Sequence, residues 1–326
     1  MKLPDTLEML IEEEINQYKL LELKEYSENL SNKYMNEKRT GKTLLSQKEE
    51  ATVYSVIRMP ATFGAIYTSL SKTLENLDVE IDSLLDIGAG TGAGSFAVSE
   101  LLNVKNITCL EREKSMMELG KRLMAQGNES LKNARWIDKD IIRDEINEKA
   151  DLVIVSYMIN ELKEEDRIIV LDKLLNFTNK ILLIVEPGTP EGFKNIKRIR
   201  EEIINRNLNI LAPCTHHEKC PLSEDDWCSS AVRVQRTKIH KILKGGDVPF
   251  EDEKFSYIAV SPNIDRKTYA RILRHPIIQN KMVKLKLCTE NSIQEVIVTK
   301  KNSDLYKEIK KKNIGDSIDS RIKNLI

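Results

Sequence analysis

Asp86-Ile87-Gly88-Ala89-Gly90-Thr91-Gly92-Ala93-Gly94 is the stretch that decides the fold of this chain. The apolar run Ser83-Leu84-Leu85-Asp86-Ile87 has the character of a buried strand, and residues 95–102 that of a helix. A strand, a glycine-rich turn and a helix in that order let the backbone approach a ligand closely and offer it free N–H groups. Working outward, strands are expected at 107–111, 134–138, 151–156 and 181–186, with helices at 114–125, 164–177 and 193–206. Continuous apolar strands separated by helices predict an α/β fold with a parallel, doubly wound, Rossmann-like sheet.

Residues 1–80 read as helical, with Leu7, Leu10, Ile11, Ile15 and Tyr18 at helical spacing. Pro60 is expected to start or kink a helix. After residue 211 the α/β rhythm breaks. A returning strand is expected at 255–260, and a β-hairpin joins 282–287 to 293–299 through Thr289-Glu290-Asn291-Ser292. The expected organisation is a helical region at 1–80, a Rossmann-like domain at 81–210 and a cysteine-rich module at 211–326.

The chain has 326 residues, 40% hydrophobic and 31% charged, which suits a soluble globular protein. No apolar run approaches the ~20 residues of a membrane span. The acidic, amphipathic start lacks the basic n-region and apolar core of a secretory leader, so the expected compartment is the cytoplasm. Net charge is zero, but its distribution is uneven. Glu8, Glu12, Glu13 and Glu14 open the chain, whereas Arg233, Arg236, Lys238, Lys241 and Lys244 form one basic run. Arg266, Lys267, Arg271, Arg274, Lys281, Lys284 and Lys286 form another. Clustered cations of this kind are the footprint expected for a phosphate backbone; a solvated surface is the other reading.

A nicotinamide dinucleotide site needs G-x-G-x-x-G, and here Ala93 stands at the third position. The pattern D-x-G-x-G-x-G resembles motif I of the class I methyltransferases. That resemblance implies S-adenosylmethionine held around Asp86, Gly88, Gly90 and Gly92. Glu111, ending the second strand, is suited to accept ribose hydroxyls. Asp138 or Asp140 is placed to address adenine. The fourth strand ends in Ser156-Tyr157-Met158-Ile159-Asn160-Glu161-Leu162. In class I methyltransferases this position faces the transferred methyl, so Ser156 joins the cofactor set. Tyr157 and Asn160 are the catalytic candidates, with helix entry and capping as the alternative. Neither an Asn/Asp-Pro-Pro-aromatic motif nor a Pro-Cys nucleophile stands there. Methyl transfer can proceed by positioning alone, so their absence excludes nothing.

Cys214, Cys220 and Cys228 are spaced C-x5-C-x7-C, and Cys288 follows in Lys286-Leu287-Cys288-Thr289. Only Cys109 stands elsewhere, inside an apolar stretch. Thiols crowded beside Pro and His in a polar segment suit metal ligation. Zinc, with His216 or His217 as further donors, and an iron–sulfur cluster both remain open on this spacing.

The runs Val185-Glu186-Pro187-Gly188-Thr189-Pro190-Glu191-Gly192-Phe193, Ala212-Pro213-Cys214, Cys220-Pro221-Leu222 and Asp226-Trp227-Cys228 resemble the ribosomal small-subunit methyltransferase-like family. That family has bacterial members and mitochondrial small-subunit assembly factors. Arg58-Met59-Pro60-Ala61-Thr62, Ser256-Tyr257 and Arg274-His275-Pro276 also fit it, and the likeness spans roughly residues 50–315. It implies a class I methyltransferase fold, small-subunit or rRNA binding, and a [4Fe–4S] site on Cys214, Cys220, Cys228 and Cys288, with zinc as the alternative. Ser229-Ser230 departs from the aromatic pair expected after the third cysteine. The expected function is action on the small ribosomal subunit as an rRNA methyltransferase or assembly factor, with Arg233, Arg236, Lys238, Lys241, Arg271 and Arg274 contacting RNA. The competing readings are a non-catalytic RNA-binding assembly protein and a small-molecule methyltransferase with a structural zinc.

Overall fold

The computed structural model describes residues 1–36, 47–75, 77–265, 268–290 and 292–325. Arg266, Lys267 and Asn291, which the sequence reading placed in a basic run and a hairpin turn, lie outside the described residues. The chain divides into two compact units. The first comprises residues 1–71, 78–185 and 232–253; the second comprises 72–77, 186–231 and 254–326. This partition differs from the expected division at 80 and 210. The helix Asp5–Ile15 belongs with the Rossmann-like part because it packs on the helices Lys48–Ile57 and Lys114–Met124, burying Leu7, Ile11 and Ile15. From the same helix, Glu14 accepts two hydrogen bonds, both at 2.8 Å, from Arg122 on Lys114–Met124.

The first unit is built on a parallel sheet. Its strands are β1 (Ser83–Ile87), β2 (Asn106–Leu110), β3 (Arg135–Ile137), β4 (Ala150–Ser156) and β5 (Thr178–Pro187). Their order is β3-β2-β1-β4-β5. Asp86 aligns with Cys109 on one side and with Ile154 on the other. The cores of β4 and β5 are apolar on both faces, as a sheet covered on both sides requires. The order reverses between β1 and β4, and such folds bind ligands at that switch point, beyond the carboxyl ends of the strands. Pro60 is the second residue of the helix Met59–Leu74, where its missing N–H costs nothing. Cys109 is fully buried in β2, as its apolar setting predicted.

Strands β6 (Asn209–Ala212), β7 (Ser230–Gln235) and β8 (Phe250–Ser261) follow, and β6 runs antiparallel to β8. Further on come β9 (Ala270–Ile272), β10 (Ile277–Gln279), β11 (Met282–Thr289), β12 (Ile293–Thr299) and β13 (Ser317–Ile318). Among the described residues these five make the second unit's sheet, in the order β10-β11-β9-β13 with β12 also on β11. The β11–β12 pairing is the expected hairpin. Alternation along β11 buries Val283, Leu285 and Leu287 against Val296, Val298 and Ile309.

Candidate functional site

The first unit holds a cavity of about 390 Å³, the size of a small-ligand site. It opens at the carboxyl ends of β1, β2, β3 and β4. Of the residues expected from sequence, Gly88, Gly90, Glu111, Asp140, Ser156 and Tyr157 line it. Among the described residues Asp86, Gly92, Asp138 and Asn160 do not line it.

Gly88 and Gly90 have φ of 66° and 57°, a left-handed backbone that glycine adopts without strain. The N–H groups of Gly88 and Ala89 donate to Leu110 O at 2.8 and 3.1 Å, which tethers the loop to β2. Glu111 completes the tether. Its Oε2 accepts Gly90 N–H at 2.7 Å, and its Oε1 accepts the N–H groups of Arg112 and Glu113 at 2.8 Å each. Three of roughly four acceptor positions on this carboxylate are therefore committed to backbone.

Asp86 is instead engaged at the helix start. Its Oδ2 accepts both the N–H and the hydroxyl of Ser95, at 2.8 and 2.9 Å, and so braces the start of the helix Ala93–Leu101. Burial pushes its carboxyl up to about 6. The structure thus places Asp86 at the helix start and outside the cavity lining, where the sequence expectation had it beside the cofactor. A Cβ on Gly94 would come within 2.7 Å of Asp86 Oδ2, which explains that glycine. Asp138 pairs with Lys114 at 3.8 Å, whereas Asp140 accepts from Arg112 at 3.3 Å and from Ile142 N–H at 2.8 Å.

Tyr157 follows β4 with φ of 58°, an uncommon conformation for a bulky residue and one that clusters at functional sites. Its N–H donates to Val185 O at 2.7 Å and its hydroxyl to Glu253 Oε1 at 2.8 Å. Arg58 lies 3.6 Å from the same Glu253 oxygen, and its guanidinium stands 5.9 Å from the Tyr157 ring centroid. Burial keeps this phenol protonated far above neutral pH. Sequence reasoning missed Arg58 and Glu253 as its partners, because they come from distant segments. It also passed over Glu161, which lines the cavity in place of Asn160. Burial pushes the Glu161 carboxyl up to about 7, and neighbouring Glu111 and Glu113 add to the rise against Arg112. The available signal was an acid five residues beyond the end of a buried strand.

A second cavity lies wholly within the second unit, and Cys214, Cys220, Cys228 and Cys288 all line it. Cys214 follows β6, and Cys288 sits on β11. Cys228 is held through its carbonyl by the Ser256 hydroxyl at 2.7 Å, and the neighbouring Trp227 indole donates to Gly188 O at 3.1 Å. Burial raises the thiols of Cys214, Cys228 and Cys288, the last to about 12. His217 accepts Ile210 N–H at 3.0 Å, and His216 Nε2 lies 3.9 Å from Cys288 Sγ. Among the described residues no group of three or more His, Cys, Asp or Glu side chains is placed to hold a metal ion.

Arg200 and Arg271 also line this cavity and are 3% and 2% exposed. Arg271 is thus not a surface cation, contrary to its expected RNA contact: it sits on β9 directly opposite Cys288 on β11. Arg274 and Lys286 both pair with Asp226. In the first unit Arg233 pairs with Asp252 at 2.8 Å and Arg236 with Glu251 at 2.7 Å. Lys238 opens the helix Lys238–Lys244 and Lys241 lies in its last turn, and neither makes an ion pair among the described residues.

The family model described as mitochondrial small ribosomal subunit Rsm22 matches residues 48–319. Two relatives from Schizosaccharomyces pombe, the Rsm22-cox11 tandem proteins 1 and 2, mitochondrial, are each 24% identical over 185 residues. Each match covers 50% of this chain and 24% of the relative. The chain therefore spans about a quarter of the length of the curated relatives it matches. Among solved structures, the plantazolicin methyltransferase BpumL in complex with an analogue and SAH is 13% identical, with a TM-score of 0.43. That match covers 76% of this chain and 99% of the other. The magnesium protoporphyrin IX methyltransferase of Synechocystis PCC 6803 with bound SAM is 8% identical, with a TM-score of 0.42, over 71% and 90% of the two chains. The expected cytoplasmic compartment is overturned, since the family description and both relatives' names are mitochondrial. No helix among the described residues is long and apolar enough to cross a membrane.

Proposed function

The chain belongs to the mitochondrial small ribosomal subunit Rsm22 family, and on that footing we propose that it binds S-adenosylmethionine and acts on the small ribosomal subunit, as an rRNA methyltransferase or assembly factor. The observation that carries the cofactor reading is the cavity at the β1/β4 switch point, lined by Gly88, Gly90, Glu111 and Asp140. Gly88 and Gly90 leave room for a ligand against backbone, and Asp140 offers a carboxylate beyond β3. Bound there, the cofactor supplies an electrophilic methyl on a sulfonium. The residues at the end of β4 then orient the acceptor, with Tyr157 clamped by Glu253 and Arg58. Glu161, whose carboxyl titrates near neutrality, takes the proton that an N–H or O–H acceptor loses.

The same reading assigns Cys214, Cys220, Cys228 and Cys288 to a [4Fe–4S] cluster. The donor set fits: four thiols line one cavity, and Arg200 and Arg271 beside them each keep one buried N–H without a partner. A cluster spreads its ligands over separate irons, so they need not converge as those of a single ion must. Its bound form would tie the loop at 213–229 to β11.

Two measurements test this reading. Labelled S-adenosylmethionine is incubated with small-subunit rRNA and immature subunits: label in the RNA identifies the enzyme, and cofactor binding without transfer identifies a non-catalytic assembly protein. Protein purified without oxygen is assayed for iron, sulfide and zinc: equal iron and sulfide, lost in Cys214→Ser and Cys228→Ser but kept in Cys109→Ser, is expected. Stoichiometric zinc with no iron would overturn the cluster.

A further inference from the structure

The second unit buries two guanidinium groups against the cysteines. Arg200, on the helix Pro190–Asn205, donates from Nε to Cys214 Sγ at 3.3 Å and from Nη2 to the carbonyls of His216, at 3.0 Å, and Glu218. Nη2 also lies 3.4 Å from His216 Nδ1. Its Nη1 is buried with no hydrogen-bond partner. Arg271 donates from Nε to Pro213 O at 2.9 Å and from Nη1 to Gly315 O at 3.1 Å, and its Nη2 is likewise buried and without a partner. Among the described residues neither side chain has a carboxylate within ion-pair distance. Cys288 and Arg271 are register partners on β11 and β9, so their side chains leave the sheet on one face as direct neighbours. The two arginines thus reach the cavity from different elements, one at Cys214 and the other at Cys288.

A guanidinium stays charged at any accessible pH. Burying two of them without a counter-ion is costly, unless an anion occupies the space they face. Carbonyl oxygens supply hydrogen bonds but no net charge. Among the described residues no carboxylate lines this cavity, and its cysteines become anions as the deprotonated ligands of a bound cluster. Four thiolate charges, less the two positive charges of an oxidised [4Fe–4S] core, leave a dianion that two guanidinium groups offset.

We propose that Arg200 and Arg271 are the built-in counter-cations of the four-cysteine site, holding its ligand loop ready and raising the reduction potential of the cluster bound there. The proposal rests on the reading of the four cysteines as cluster ligands. One-electron reduction adds a negative charge to the site and breaks no bond. Fixed positive charge stabilises that product, and Arg200 adds an N–H donor to a ligand sulfur, a second influence in the same direction.

The test uses the full chain purified without oxygen: wild type, Arg200→Met, Arg271→Met, Arg200→Lys and Arg271→Lys. Iron and sulfide are measured, and the midpoint potential is read by electron paramagnetic resonance during titration with dithionite. Each Met variant should lose cluster or shift its potential negative by about 59 mV or more, the one-electron equivalent of a tenfold change. The Lys variants, which keep the charge, should shift less. Met variants with wild-type iron, sulfide and potential overturn the proposal while leaving the cluster reading intact. Wild type without iron and sulfide, or with zinc and no reduction step, instead removes the cluster reading on which it rests. Should a Met variant fail to fold, its Lys counterpart decides: a potential close to wild type upholds the charge argument, and a negative shift of about 59 mV or more with the charge retained refutes it.

Discussion

Glu111 Oε2 accepts the backbone N–H of Gly90 at 2.7 Å, so the end of β2 holds the glycine loop that follows β1. The loop's left-handed turns are thereby fixed before any ligand arrives. Glu111→Gln would set an amide N–H against one of three backbone donors. We expect a stability loss of about 1–3 kcal/mol and at least tenfold weaker S-adenosylmethionine binding, read by thermal unfolding and calorimetry. Unchanged affinity would show that the loop needs no such tether.

Gly94→Ala tests the brace on the other side of the loop. The added methyl would meet the two Asp86 oxygens at 2.7 and 2.9 Å. Such overpacking costs roughly 1–3 kcal/mol. Denaturant unfolding should show a lower midpoint with an unchanged slope. A wild-type midpoint would mean that the helix start yields freely.

Glu161 makes stability depend on pH. Its carboxyl rises from the ordinary 4.5 to about 7, chiefly through burial, so the folded chain favours the protonated form. The stability it contributes is full below about pH 4.5 and is lost as pH rises through about 7. Glu161→Gln should leave Tm unchanged near pH 4.5 and raise it at pH 8. Asp86, raised to about 6, acts in the same direction over an overlapping window, so the quantity to compare is the difference between variant and wild type. On the proposed reading of Glu161 as the base, methyl transfer should rise through pH 7 in wild type and lose that inflection in the variant.

Tyr157→Phe removes the hydroxyl that Glu253 accepts at 2.8 Å and leaves that carboxylate to Arg58. A cost of about 1–2 kcal/mol is expected, with slower methyl transfer and little change in cofactor affinity. Equal loss of affinity and rate would place Tyr157 in cofactor binding instead.

The ion pairs redirect the RNA prediction. Arg233 and Arg236 are engaged by Asp252 and Glu251, whereas Lys238 and Lys241 have no such partner among the described residues. Lys238→Gln with Lys241→Gln should flatten the salt dependence of small-subunit rRNA binding by roughly 0.9 in log–log slope per lost phosphate contact. Arg233→Gln with Arg236→Gln should do less. Filter binding across a salt series decides, and equal slopes for both pairs would refute the ranking.

Amino-acid order by itself determined the strand–glycine loop–helix unit, the parallel strand sequence and the hairpin at β11–β12. These follow from short-range rules: apolar runs, glycine's access to positive φ, and the burial of Cys109 within its own strand. Tertiary structure decided which side chains line the cavity. Asp86 turned to the helix start because Ser95 presents two donors there, and Glu161 replaced Asn160 at the cavity through the short helical turn Ile159–Glu161. Arg271 read as one cation of a basic run, yet its register opposite Cys288 buried it beside the thiols. Charge partners such as Arg58 and Glu253 come from segments far apart in sequence. Their meeting depends on how β-strands and helices pack, and no local pattern of residues encodes it.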